Sequence, residues 1–153
     1  MIKIIDGDLL ESNADIICHQ VNCQGKMNSG IAKQIREKYP TVYNGYVAQC
    51  QIYSDYPEGL LGMCQIVQVE KDRYIVNLFG QYGYGYDGKQ YTDLDALERS
   101  MIYLKSYFNK DKTIAFPYGL GSVRGGARWE DVYIIIDTVF DGYNVEIWRL
   151  DKG

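Results

Sequence analysis

Among 153 residues there is one histidine, with three prolines and four cysteines. A hydrolytic triad or a zinc site built on imidazole would therefore have only His19 to use. Cys18, Cys23, Cys50 and Cys64 contain no CxxC pair, which argues against a zinc ribbon or a dithiol motif. They read as free thiols of a cytoplasmic protein, and no metal or other cofactor is expected. No apolar run reaches the length of a membrane span, and "MIKIIDGDLL" lacks the layout of a secretory leader, so no membrane partner is expected. An excess of basic charge is missing too. Sixteen Lys and Arg against 20 Asp and Glu leave a net charge of -4, which argues against a broad nucleic-acid surface. A single bound phosphate stays possible, because backbone amides hold an anion without cations.

What is present suffices for one core. The hydrophobic share is 46%, and residues 1–153 are expected to form a single domain. Tyrosine is abundant, with 15 copies, several of them alternating with glycine in "GQYGYGYDGKQYTD".

The patterning alternates between the two periodicities. "IKII" (2–5) and "ADIICHQV" (14–21) read as strands, the second buried on both faces through Ile16, Ile17 and Cys18. Helical spacing of Ile31, Ala32, Ile35 and Tyr39 predicts a helix near 29–38 capped by Ser29, and Pro40 separates it from a second helix. Residues 62–70 and 73–80 read as a hairpin turning at Lys71-Asp72. Thr92 and Asp95 resemble a capping box ahead of a helix striped by Leu94, Leu97, Met101, Leu104 and Phe108. A strand at 113–119, a helix at 129–140 and a strand at 143–148 complete the order. Strands separated by helices predict an α/β three-layer α/β/α sandwich around a mixed, largely parallel sheet of about six strands. Loops 22–30, 80–91 and 119–128 then leave strand C-termini and should converge on one crevice.

Two of these loops are rich in glycine. "NCQGKMNSGIAKQI" places Gly25 and Gly30 at a helix start, where free N–H groups and the helix dipole suit an anion. "YGLGSVRGGARW" repeats the arrangement, with Arg124 as a phosphate clamp or a solvated charge. Two loops opening two helices suggest a diphosphate between them.

With these residues in view, the sequence resembles the macrodomain family of ADP-ribose-binding proteins. "GDLLESNADIICHQVNCQGKMNSGIA" is similar to its first ligand-binding segment and "FPYGLGSVRGGARWEDV" to its second phosphate loop. Closest in style are the ADP-ribose-1″-phosphate phosphatases, terminal ADP-ribose-protein glycohydrolases and DNA-acting antitoxins, a branch with small phage and bacterial members. The resemblance implies that Asp8, beside Leu9, accepts from the adenine amino group, and that Asn22 meets the distal ribose. It implies that Met27, Asn28, Ser29, Gly30 and Ile31 run along the distal ribose and diphosphate. Gly119, Leu120, Gly121, Ser122, Val123, Arg124, Gly125 and Gly126 would close over the phosphates, with Pro117 and Tyr118 also binding the ligand. Tyr118, Tyr82, Tyr84 or Tyr86 would stack on the adenine or cover the ribose.

For catalysis the resemblance implies Lys89 as a nucleophile, with Asn22 and His19 near the distal ribose. The second loop has no Asp or Glu where the glycohydrolases place their acid, which leaves Asp87 or Asp93 as substitutes. The expected partner is ADP-ribose or a related nucleotide, carried or not on a macromolecule. The activity is removal of a terminal phosphate or of ADP-ribose from protein or nucleic acid. The alternatives are a non-catalytic reader or sponge for NAD-derived signals, and a phosphate-binding module without nucleotide preference.

Overall fold

A computed structural model describes residues 1–150. Six strands, β1 (Ile2–Asp6), β2 (Ile16–Val21), β3 (Cys64–Glu70), β4 (Arg73–Phe79), β5 (Thr113–Pro117) and β6 (Asn144–Arg149), form one sheet in the order β1-β6-β5-β2-β4-β3. All neighbours are parallel except β3 and β4, which are antiparallel. Asp72, in left-handed backbone at φ 59°, turns that hairpin.

Helices α1 (Gly30–Lys38) and α2 (Pro40–Ile52) cover one face; α3 (Leu94–Lys105) and α4 (Trp129–Val139) cover the other. Strand β2 lies between them and is apolar on both sides. Ile16 and Cys18 pack toward α3 and α4, with Leu97, Met101, Val132 and Ile136. Ile17 and Val21 pack toward α1 and α2, with Ile35, Val42 and Tyr46. Burial on both faces is why this strand reads as a continuous apolar run rather than an alternating one.

The expected sandwich and its element order are present, with local corrections. The helix α3 is capped by Asp93, which accepts from Ala96 N at 3.0 Å, and not by Thr92. It ends at Lys105, so Phe108 lies beyond it although it still packs on the core. Ser29 does occupy the N-cap of α1 in extended backbone, yet its hydroxyl makes no capping bond. Pro40 sits at the first position of α2, where its missing N–H costs nothing.

Candidate functional site

Strands β5, β2 and β4 are adjacent and parallel, so their C-termini end at one edge of the sheet. The three segments that leave them enclose a cavity of about 420 Å³, within the range of small-molecule sites. Gln20, Val21, Asn22, Lys26 and Asn28–Ala32 form its first wall, Gln81, Tyr84, Gly85 and Tyr86 the second, and Pro117–Gly121 with Val123–Gly125 the third. Among the described residues Lys26 and Arg124 line it and no carboxylate does, although the chain as a whole is acidic. The cavity is therefore an electropositive recess in a negative protein.

The first wall is a wound loop. Asn22, 7% exposed, holds it from within: Oδ1 accepts from Gln24 N at 2.9 Å and Nδ2 donates to Lys26 O at 3.0 Å. Behind it the fully buried Tyr46 of α2 places its hydroxyl 2.6 Å from Asn22 O and 2.8 Å from Asn22 Oδ1, and receives Gly25 N at 3.2 Å. Burial pushes the Tyr46 hydroxyl up, well above the ordinary tyrosine range, so it remains a donor. Gly25 and Gly30 have φ of 77° and 60°, the left-handed backbone that turns the chain into α1. Gly30, Ile31 and Ala32 then present first-turn amides, which no helical carbonyl can satisfy, along the cavity wall.

The third wall works differently from a second helix start. The cap of α4 is Arg128, its first turn carries Glu130 and Asp131, and the cavity lining stops at Gly125. Those acids already complement the α4 dipole. The expectation of two helix starts facing one anion is thus corrected to one helix start and one glycine loop. In that loop the N–H groups of Gly121, Val123, Arg124, Gly125 and Gly126 donate to no protein group among the described residues. The loop is tied from behind instead. Gly125 O accepts from Tyr91 N at 2.7 Å and Thr92 N at 3.0 Å, and Gly121 O accepts from Thr92 Oγ1 at 2.7 Å.

The second wall bridges the other two. The Arg124 guanidinium stacks 4.6 Å from the Tyr86 ring centre, and the Tyr86 hydroxyl lies 3.5 Å from Ser29 Oγ. Of the four tyrosines considered, Tyr84, Tyr86 and Tyr118 line the cavity; Tyr82 contributes its carbonyl to Cys23 N instead. Tyr118 is braced by Trp129, with ring centres 4.9 Å apart, and by Arg149 at 5.4 Å.

Several expected residues lie outside the lining. Met27 is fully buried under the first loop and Leu9 is buried in the same core, because both are apolar and pack toward α1 and α2. Ser122 turns its hydroxyl back to Gly119 O at 2.7 Å. Asp8, half-buried at the C-terminal end of β1, accepts from Leu10 N through Oδ1 at 2.9 Å and starts a short 3-10 turn. The Lys89 side chain is 76% exposed and 3.8 Å from Asp87, and Lys89 is not part of the lining.

His19 is also outside, because it sits short of the strand end that the cavity reaches, which begins at Gln20. It points from β2 toward α2 and is fully buried. In register with it across β4 and β3 are Asn77 and Gln65. His19 Nε2 lies 2.6 Å from Asn77 Oδ1, Asn77 Nδ2 donates to Gln65 Oε1 at 3.0 Å, and Gln65 Nε2 donates to Gly45 O at 3.0 Å. Because the Asn77 amide nitrogen is spent on Gln65, its oxygen must accept, which assigns the imidazole proton to Nε2 and leaves Nδ1 bare. Burial holds the imidazole down to about 4.

Sequence reading missed Gln20, Val21, Lys26, Ala32, Gln81 and Gly85 in the lining. The signal for Gln20 was its parity: one residue beyond His19, it must face the opposite side, at the mouth of the strand.

Comparison with known proteins gives a consistent picture. The model of the family described as Macro domain matches residues 18–136. The ADP-ribose 1″-phosphate phosphatase of Meyerozyma guilliermondii is 26% identical over 119 residues, 69% of this chain and 68% of that protein. The DNA ADP-ribosyl glycohydrolase of Mycobacterium tuberculosis is 28% identical over 133 residues; these cover 86% of this chain but 36% of that protein's length. Among solved structures, the macrodomain of Mycobacterium tuberculosis DarG superposes with a TM-score of 0.80 at 26% identity, covering 97% of each chain.

Proposed function

The chain belongs to the macrodomain family, and from that premise we propose that it binds ADP-ribose in the three-walled cavity and hydrolyses an ADP-ribose derivative there. Residues 1–153 act in this reading as one such domain, in the cytoplasm. The observation that carries it is the lining itself: among the described residues, unsatisfied amides from the α1 start and the second glycine loop, two cations and no carboxylate. That arrangement suits a diphosphate, whose oxygens accept many hydrogen bonds and carry charge. Lys26 and Arg124 supply the countercharge, Asn22 and the amides of Gly30 and Ile31 follow the distal ribose and its phosphate, and Tyr118 with Pro117 covers the adenosine half. Asp8 reads the adenine amino group with the carboxylate oxygen that Leu10 does not use.

The same lining favours a phosphate ester over a glycosidic bond as the scissile link. Cations and amides neutralise a phosphoryl group as water attacks phosphorus and the ester oxygen leaves as the ribose hydroxyl. A glycosidic cleavage would call for a carboxylate acid or base, and none among the described residues lines the cavity. That absence, with Lys89 at the surface and His19 sealed in the sheet, is also what supports a second reading, a non-catalytic reader of ADP-ribose.

The test is calorimetry with ADP-ribose, followed by incubation with ADP-ribose 1″-phosphate, ADP-ribosylated protein and ADP-ribosylated DNA, with products followed by mass spectrometry. Binding with release of phosphate supports the phosphatase reading. Binding with no product from any substrate selects the reader, and absence of binding overturns both.

A further inference from the structure

Thr92 directly precedes the cap of α3, yet its hydroxyl takes no part in the helix, because Asp93 caps it. The side chain is 4% exposed and points toward the back of the third cavity wall. There, Oγ1 accepts from Gln20 Nε2 at 2.8 Å and donates to Gly121 O at 2.7 Å. The amide of Gln20 is itself held, since Nε2 also donates to Gln81 Oε1 at 2.7 Å. A donor fixed on one side of a hydroxyl leaves its own proton one useful direction, and here that direction is the Gly121 carbonyl.

The main chain of the same residue completes the tie. Thr92 N and Tyr91 N both donate to Gly125 O. In a trans peptide the carbonyl and the following N–H point opposite ways, so anchoring Gly125 O behind the loop turns the Gly126 amide outward. The glycines are fitted to the hydroxyl. A Cβ on Gly125 would fall on Thr92 Oγ1, and one on Gly121 would lie 3.1 Å from it. Lys89 O similarly lies 2.7 Å from where a Gly126 Cβ would sit.

We propose that Thr92, oriented by Gln20, is a positioning residue that sets the backbone of the Gly121–Gly126 loop so that its amides face a bound diphosphate. This rests on the ADP-ribose reading of the cavity for its ligand, but not for its geometry.

The substitution Thr92→Val keeps the shape and removes the hydroxyl. It leaves Gly121 O paired, since that oxygen still accepts from Ala127 N at 3.1 Å, while Gln20 Nε2 loses one acceptor and keeps Gln81 Oε1. The expected result is roughly a tenfold loss of ADP-ribose affinity by calorimetry, in line with loss of the two hydrogen bonds of Oγ1, of which the one to Gly121 O preorganises the loop. Thr92→Ser, which restores the hydroxyl, should bind within about threefold of the unmodified protein. Amide hydrogen exchange should accelerate in the Val variant at Ser122 and Ala127, whose N–H groups are bonded within the loop, and at Tyr91 and position 92, which bond Gly125 O, and stay unchanged in the sheet. Wild-type affinity in Thr92→Val, or equal losses in Val and Ser, would overturn the proposal. So would faster exchange throughout the sheet, which would mean a general loss of packing. If the unmodified protein binds no ADP-ribose, the ligand reading fails, while local exchange in the Val and Ser variants still decides the role of Thr92.

Discussion

Asp8 spends one oxygen on Leu10 N, which leaves the other for the proposed adenine contact. Alanine at this position would remove the turn cap and the proposed adenine contact together. Asp8→Asn separates them, since an amide oxygen can still cap while the charge and the second acceptor are lost. ADP-ribose binding should weaken by about 1.5–3 kcal/mol in calorimetry, the worth of a charge-assisted hydrogen bond. Affinity equal to that of the unmodified protein would remove Asp8 from the adenine site. Lys89, exposed and beside Asp87, contrasts with it. Lys89→Ala should leave ADP-ribose affinity within about twofold, the scale of an exposed ion pair. Loss of turnover in that variant would show that the 80–91 loop carries the lysine inward when substrate binds.

At the scale of elements, two helix starts that look alike in sequence have different duties. Asp93 closes α3 with a side-chain bond, so Asp93→Ala should cost about 1 kcal/mol in denaturant unfolding. Ser29 makes no such bond at α1, and Ser29→Ala should cost a few tenths at most. A cost at Ser29 as large as that at Asp93 would contradict an uncapped α1. The difference is informative, because an uncapped helix start beside a cavity keeps its amides for a ligand. The existence and order of these helices were legible from apolar spacing at Ile31, Ile35, Leu97 and Met101. Ser29 was legible as the N-cap of α1 but its missing side-chain bond was not, and the cap of α3 was not, because Thr92 and Asp93 are both good cap residues and only the path of the chain selects between them.

Across the whole molecule, the chain of His19, Asn77, Gln65 and Gly45 ties three strands to α2. Its imidazole titrates at about 4 in the folded protein, against 6.5 for an unperturbed group. Between these values the unfolded chain binds the extra proton and the folded one does not, so stability falls as pH drops from about 6.5 toward 4 and levels off below. The full difference corresponds to roughly 3 kcal/mol. Urea unfolding of His19→Gln should show a shallower pH dependence in that window; an unchanged slope would place the acid sensitivity elsewhere.

The sequence by itself determined the alternation of strands and helices, the burial of β2 on both faces, and the two glycine loops, because periodicity and glycine placement are local properties of the chain. It also carried the family resemblance, since the loop motifs are contiguous. Only the tertiary structure decided which side chains meet. The order β5-β2-β4 brings three strand ends together, and strand parity turns Gln20 and His19 to opposite faces of the sheet, Gln20 toward Thr92 and His19 under α2. Thr92 reaches Gly121 across 29 residues of sequence. Contacts of that kind depend on strand order and register, which no local pattern in the chain encodes.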